Sequence, residues 1–309
     1  MIAADSDFVR RLGECARRNV LLGTSSWKYE GWLGQLYEPS KYLYRGKLAR
    51  NRFEAGCLEE YALVFRTVCV DAGYYRFPDP GYLSKLVAQV PAEFRFSFKA
   101  TDEVTIRRFP KQPRHGDRAG CVNENFLNAP LFTEAFLGPM EPHRSNVGVI
   151  MFEFSRFHPG DFARGRDFVE ALDGFLAGLP SGWQFGVEIR NASFLQPEYF
   201  AMLRRHGVAH VFNAWTDMPT IPEQMAMPGS FTADFFAARF LLRRGRKYQE
   251  AVDAFSPYVE IRDPDPVGCA AIRELSQREM RAPSYVFVNN RFEGNALLTI
   301  AAALGVELI

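Results

Sequence analysis

Residues 94–100 read Phe-Arg-Phe-Ser-Phe-Lys-Ala, and the alternation in them decides the architecture. Phe94, Phe96 and Phe98 share one parity, while Arg95, Ser97 and Lys99 share the other. A period of two is that of a strand with two unlike faces. Residues 66–72 repeat the scheme, with Val68 and Val70 against Thr67, Cys69 and Asp71. So do residues 183–189, with Phe185, Val187 and Ile189 against Gln184, Gly186 and Glu188. A bulky apolar face beside a small or polar one suits a closed barrel, which needs packed helices outside and a narrow lumen inside.

Outward from these three, strand-like runs occur at 20–24, 146–154, 208–214, 236–242 and 284–290, each bounded by turn formers. Helical stretches at 53–65, 80–90, 166–179 and 294–304 lie between them. Eight strands alternating with helices predict an α/β fold of the TIM type, a (β/α)8 barrel, with a doubly wound open parallel sheet as the competing arrangement. No composition shift marks a second domain, so residues 1–309 are expected to form one barrel domain, with 1–19 as an N-terminal helical extension. Longer insertions are expected at 101–121, 215–230 and 256–283.

Composition narrows the function classes. Thirty-seven Lys and Arg nearly balance 36 Asp and Glu, so no global field recruits nucleic acid or an anionic membrane. No window approaches the roughly 18 consecutive apolar residues of a membrane span. The first residues read as neither a signal nor a transit peptide. Five scattered cysteines form no Cys-x-x-Cys pair, which points to reduced thiols and a cytoplasmic protein. No Gly-x-Gly-x-x-Gly, P-loop or Gly-x-Ser-x-Gly motif occurs, so no nucleotide cofactor and no serine triad is predicted. The five histidines are too dispersed for a zinc site; Asp71, Glu153 and Glu188 are oxygen donors of the kind Mg²⁺ or Mn²⁺ takes.

Polar side chains recur at the strand ends. Strand 2 ends at Asp71, strand 3 at Lys99, strand 4 at Glu153, strand 5 at Glu188 and Arg190, and strand 6 at Asn213. Strand 7 runs into Arg243 and Arg244, and strand 8 ends at Asn289 and Asn290. In a barrel these ends converge on one rim, where barrel enzymes build their sites. Two basic loops, RRFPKQPRHGDR at 107–118 and RRGRK at 243–247, could hold an anion. For 107–118 a solvated charged loop is the simpler reading.

The stretch GTSSWKY at 23–29, followed by Trp32 and Tyr37, resembles the opening signature of the YecE-like family, catalogued as domain of unknown function 72. The resemblance continues through TVCVDAGYY (67–75), FSFKA (96–100), VEIRNASF (187–194) and YVFVNNRFEGNA (285–296), in family order. It implies a TIM barrel and supplies no activity. The polar positions it carries over are Trp27, Tyr29, Lys99, Glu188, Arg190 and Asn290. The chain departs from the commonest pattern at Cys69, Asp71, Ile106, Glu153, Phe194 and 243–245, so a substrate shared with other members is not implied.

The functional expectation is an enzyme, a hydrolase before an isomerase, acting on a sugar phosphate, glycoside or nucleotide derivative. Glu188, Lys99, Glu153 and Asp71 are its candidate acids, bases or nucleophile. Trp27 and Tyr29 would wall the pocket, Arg190, Arg243 and Arg244 would hold an anion, and Asn213, Asn289 and Asn290 would orient hydroxyls. A glycosidase would set two carboxylates ~5–5.5 or ~6.5–9.5 Å apart. The alternative is a non-catalytic binder of nucleic acid or a phosphate ligand. The plainest reading pairs Lys99 with Glu188 and Arg190 with Asp71 as structural ion pairs.

Overall fold

Eight parallel strands close into a barrel, each hydrogen-bonded to the next and the last to the first. They are β1 (Val20–Thr24), β2 (Thr67–Val70), β3 (Arg95–Lys99), β4 (Val147–Phe154), β5 (Gln184–Ile189), β6 (Ala209–Ala214), β7 (Ala237–Phe240) and β8 (Ser284–Val288). The structure is a computed structural model and describes residues 2, 3 and 5–308. Closure excludes the doubly wound open sheet, which would leave two unpaired edges.

The two parities do what their chemistry predicts. Phe94, Phe96 and Phe98 lie outward in the large core beneath the helices, and their rings contact one another in series. Around Phe152, rings from Phe132, Phe175 and Phe185 pack at 5.0–5.6 Å. The inward parity forms a second, smaller apolar cluster in the lumen, with Cys69, Val149, Met151, Val211, Ala237, Tyr285 and Phe287. Space there is tight: a Cβ on Gly186 would stand 2.7 Å from the Val211 Cγ2 methyl. That glycine is the side chain the lumen has room for.

The seam between β1 and β2 has a single register pair, Thr24 with Val68. The Tyr61 hydroxyl clasps it, accepting from the Thr24 N–H at 3.0 Å and donating to the Thr67 carbonyl at 2.9 Å. A buried hydroxyl with both roles filled offsets the thin ladder.

Helix Asp7–Arg17 precedes the barrel, capped by Ser6 and burying Phe8, Leu12 and Cys15. Two strand ends differ from the sequence expectation. β2 stops at Val70, so Asp71 stands just beyond it, and β7 stops at Phe240 because Leu242 leaves the sheet to pack on Ala251 and Phe255. Short helical turns at 102–105, 113–118 and 129–146 punctuate the interval between β3 and β4, and a hairpin pairs Leu43–Tyr44 with Lys47–Leu48 after β1.

Candidate active site at the carboxyl end of the barrel

Two residues above the apolar lumen layer, the same strands change character. β4 and β5 place Glu153 and Glu188 in direct register, two like charges side by side. Both are buried, and an uncompensated buried carboxylate costs several kcal/mol. Arg239 of β7 offsets this from inside the lumen. Its Nη1 donates to Glu153 Oε2 at 2.7 Å and to Glu188 Oε2 at 2.5 Å. Arg190 adds Nη2 contacts of 3.2 Å to Glu188 Oε1 and 3.0 Å to Glu153 Oε2. Lys99 Nζ reaches the same Glu153 oxygen at 3.0 Å. One carboxylate oxygen therefore faces three cations.

The protonation states follow. Burial alone would push the Glu153 carboxyl up, but Arg190, Lys99 and Arg239 overrule it and hold it far below the usual carboxylate range. Burial would lower Lys99, and Glu153 with Asp71 more than compensates, so its ammonium is raised above its ordinary value. Arg239 is likewise raised against its burial, chiefly by Glu188. Glu153 is thus a fixed anion and Lys99 a fixed cation at neutral pH. Neither a free-amine Lys99, as base or imine former, nor a protonated Glu153 fits this arrangement.

Asp71 is the exception within the set. Its side chain is 45% exposed, and its Oδ1 lies 3.9 Å from Arg239 Nη2, too far for a hydrogen bond. Among the described residues that oxygen has no hydrogen-bond partner. Ser25 Oγ, Asn213 Oδ1, Asn290 Nδ2 and Arg239 Nε share this state, all from segments at the carboxyl ends of strands. Two aromatic faces complete the walls: Tyr74 lies 3.9 Å from Lys99 Nζ, and Trp215 lies 3.7 Å from the Arg190 guanidinium. Each is a cation–π contact at close range.

The structure therefore joins Asp71, Lys99, Glu153, Glu188 and Arg190 in one network, with partners other than the simplest ones. Lys99 pairs with Glu153 instead of Glu188, because β4 stands between β3 and β5. Arg190 turns back on Glu188 and Glu153, and Asp71 is left to Arg239. Asn213 is buried, donating to the Ile189 carbonyl at 3.2 Å while its oxygen stays unpartnered. Asn289 accepts from the Arg291 N–H, and Asn290 Oδ1 accepts from the Ala296 N–H, so both shape the turn after β8.

The aromatics of the first loop are mostly structural. Trp27 is buried and its carbonyl accepts a hydrogen bond from Tyr37, though its Nε1 has no partner among the described residues. Tyr29 packs on Trp32 and Tyr258 with centroids at 4.8 and 5.7 Å. Burial raises its hydroxyl pKa, with Arg291 and Asp71 as the nearest charges acting on it. Arg243 and Arg244 do not join the network. Arg243 meets Asp263 at 2.5 Å and Asp265 at 3.7 Å, and Arg244 meets Glu223 at 3.7 Å, so both are neutralised in a separate rim cluster. Arg239, Tyr74 and Trp215 are the functional candidates that the strand-end reading missed. Among the described residues no group of three or more His, Cys, Asp or Glu is placed to hold a metal ion, and Glu153 and Glu188 face ammonium and guanidinium groups.

Comparison with known proteins agrees with this architecture. The family described as a protein of unknown function, DUF72, matches residues 21–305. A DUF72 family protein of Thermotoga maritima superposes with a TM-score of 0.60 at 21% identity, covering 93% of this chain and 96% of that one. Another, of Enterococcus faecalis, gives 0.62 at 18% identity, with the same coverage of 93% and 96%. At such identity the likeness speaks for the fold. Among curated proteins, none matches.

Proposed function

We propose, from the premise that this chain belongs to the DUF72 family, that it is an enzyme performing proton-transfer chemistry on a small polar or anionic substrate at the carboxyl end of its barrel. The observation that carries the reading is the gathering of three cations and three carboxylates around polar atoms left without a partner among the described residues. Buried polar atoms are satisfied almost everywhere in native proteins, so several unsatisfied ones at a single rim favour a ligand.

Roles follow from the pairing. Glu153 and Glu188 share one Arg239 nitrogen, which leaves no space between them for a sugar ring, so they position cations instead of flanking a glycosidic bond. Asp71, half-exposed and unbonded, is the carboxylate free to take a proton from water or a substrate hydroxyl. The Lys99 ammonium and Arg190 guanidinium then meet the negative charge that develops. Hydrolysis ranks ahead of isomerisation on this arrangement, because an exposed base beside fixed cations suits attack by water.

Among the described residues no helix is long and apolar enough to cross a membrane. All five cysteines are free, which fits the reducing, cytoplasmic setting proposed for the chain. The test is turnover of a panel of p-nitrophenyl phosphate, glycosides and esters by wild type and Asp71→Asn. We expect hydrolysis by wild type that falls about 10²–10⁴-fold in kcat in the variant. Urea stability should change by no more than about 0.5 kcal/mol. Turnover that survives Asp71→Asn overturns the role of Asp71. Ligand binding without turnover in wild type would favour the non-catalytic binder of nucleic acid or phosphate compounds.

A further inference from the structure

Beside the site, the loops after β3 and β4 enclose a cleft of about 440 Å³, within the usual range of small-ligand pockets. Its walls include Arg107, Arg108 and Lys111 from the loop after β3, Ser155 and Arg156 from the loop after β4, and Tyr74. Tyr74 is also the ring that covers Lys99, so the cleft and the charged layer share that side chain.

The arginines around this cleft divide into two groups. Arg114 is paired with Asp102 at 3.5 Å, Arg118 with Glu103 at 2.7 Å and Arg156 with Asp217 at 3.2 Å. Arg107, Arg108 and Lys111 have no carboxylate partner among the described residues. Arg107 is the telling one. It is half-buried, with its guanidinium 5.5 Å from the Phe126 ring and 5.9 Å from the Phe162 ring. The two rings supply only weak cation–π attraction at that range and no anion, so a cation taken partly out of water there still gains from one. The single acid on the lining, Asp161, already accepts from the His158 N–H.

Nor is the 107–121 segment a loose solvated loop. The Phe109 N–H donates to the Cys121 carbonyl at 3.0 Å, the Gly120 N–H to the Phe109 carbonyl at 2.8 Å, and the Asn123 N–H to the Arg107 carbonyl at 3.0 Å. Arg108 Nη1 further donates to the Gly120 carbonyl at 2.9 Å. These rungs fix the backbone that carries the three cations before any ligand arrives, which lowers the ordering cost of binding one.

We infer that this cleft is a phosphate subsite: Arg107, Arg108 and Lys111 take the phosphate of a phosphorylated polyol whose other end passes Tyr74 to reach Lys99 and Asp71. The second half of that statement rests on the function proposed above; the first does not. Calorimetric titration at low salt with inorganic phosphate, then ribose 5-phosphate against ribose, tests both. We expect saturable binding of phosphate and ribose 5-phosphate but not ribose, weakened about tenfold in Arg107→Gln and again in Arg108→Gln/Lys111→Gln. Arg108 and Lys111 are exposed, so the double variant keeps the test valid should Arg107→Gln fold poorly.

Phosphate binding unchanged in both variants, or no binding in wild type, overturns the subsite. Phosphate binding lost as expected, with ribose 5-phosphate no tighter than phosphate and indifferent to Lys99→Met, overturns only the connection to the barrel. Inorganic phosphate binding by the wild type and its loss in Arg107→Gln bear on the subsite alone, whereas turnover in Asp71→Asn bears on the catalytic reading alone, which separates the two failures.

Discussion

Two layers of the same lumen, two residues apart on the same strands, make opposite use of it. The lower layer is packed with Cys69, Val149, Met151, Val211, Ala237 and Phe287, tightly enough that Gly186 has no room for a Cβ. The upper layer places Asp71, Lys99, Glu153, Glu188, Asn213 and Arg239 over it, with polar atoms left over. Fold stability needs only the first arrangement, since well-packed apolar residues replace buried ion pairs at no loss and often with gain. The contrast is what motivates the proposal that the barrel carries its charges for a ligand and not to hold itself together.

The largest expected effect comes from removing the keystone of the upper layer. Arg239→Met leaves Glu153 and Glu188 adjacent and buried with less compensation, and urea denaturation should show a loss of about 3–5 kcal/mol. A loss under about 1 kcal/mol would mean that the network does not depend on Arg239.

His210 sharpens the comparison from outside the lumen. It is buried between β6 and the helix of Tyr199 and Phe200, and burial pushes its imidazole down to about 4. The unfolded chain binds a proton near 6.5 while the folded one does not, so this contribution is complete above pH 6.5 and is lost as the pH falls towards 4. It amounts to at most about 3 kcal/mol. Glu153 acts in the same direction in a lower window: its depressed carboxyl contributes stability above its unfolded value of 4.5 and loses it as the pH falls below that value. His210→Gln should therefore flatten the stability profile between pH 6.5 and 4 and leave the steeper fall below it. A profile unchanged by the substitution would show that His210 is not the group responsible.

The strand pattern could be read from sequence because the outward phenylalanines and the inward small or polar residues keep strict parity. Asp71, Lys99 and Glu188 emerged from that parity. Arg239 did not, because residues 236–242 are apolar on both sides of it and drew the strand end on to Arg243. The available signal was an arginine two residues after Ala237 on the small-residue parity, a charge inside an otherwise apolar strand. Which cation meets which carboxylate depends on register and side-chain reach across the barrel, as with Glu153 intervening between Lys99 and Glu188. Linear spacing does not carry that. The cation–π walls come from the short helix Ala72–Tyr75 and from Trp215 just past β6, segments whose course a two-residue period cannot trace.

The smallest expected effect is also the most decisive. In Lys99→Met/Glu153→Met both members of one ion pair become apolar, while Glu188 and Asp71 remain to balance Arg190 and Arg239. The measurement is its urea-unfolding free energy beside that of Phe287→Ala in the layer below. The account predicts a double variant as stable as wild type or more so, and a Phe287→Ala loss of about 3–5 kcal/mol. A double variant destabilised as much as Phe287→Ala would contradict it, making the charged layer part of the framework and removing the reason to seek a ligand there.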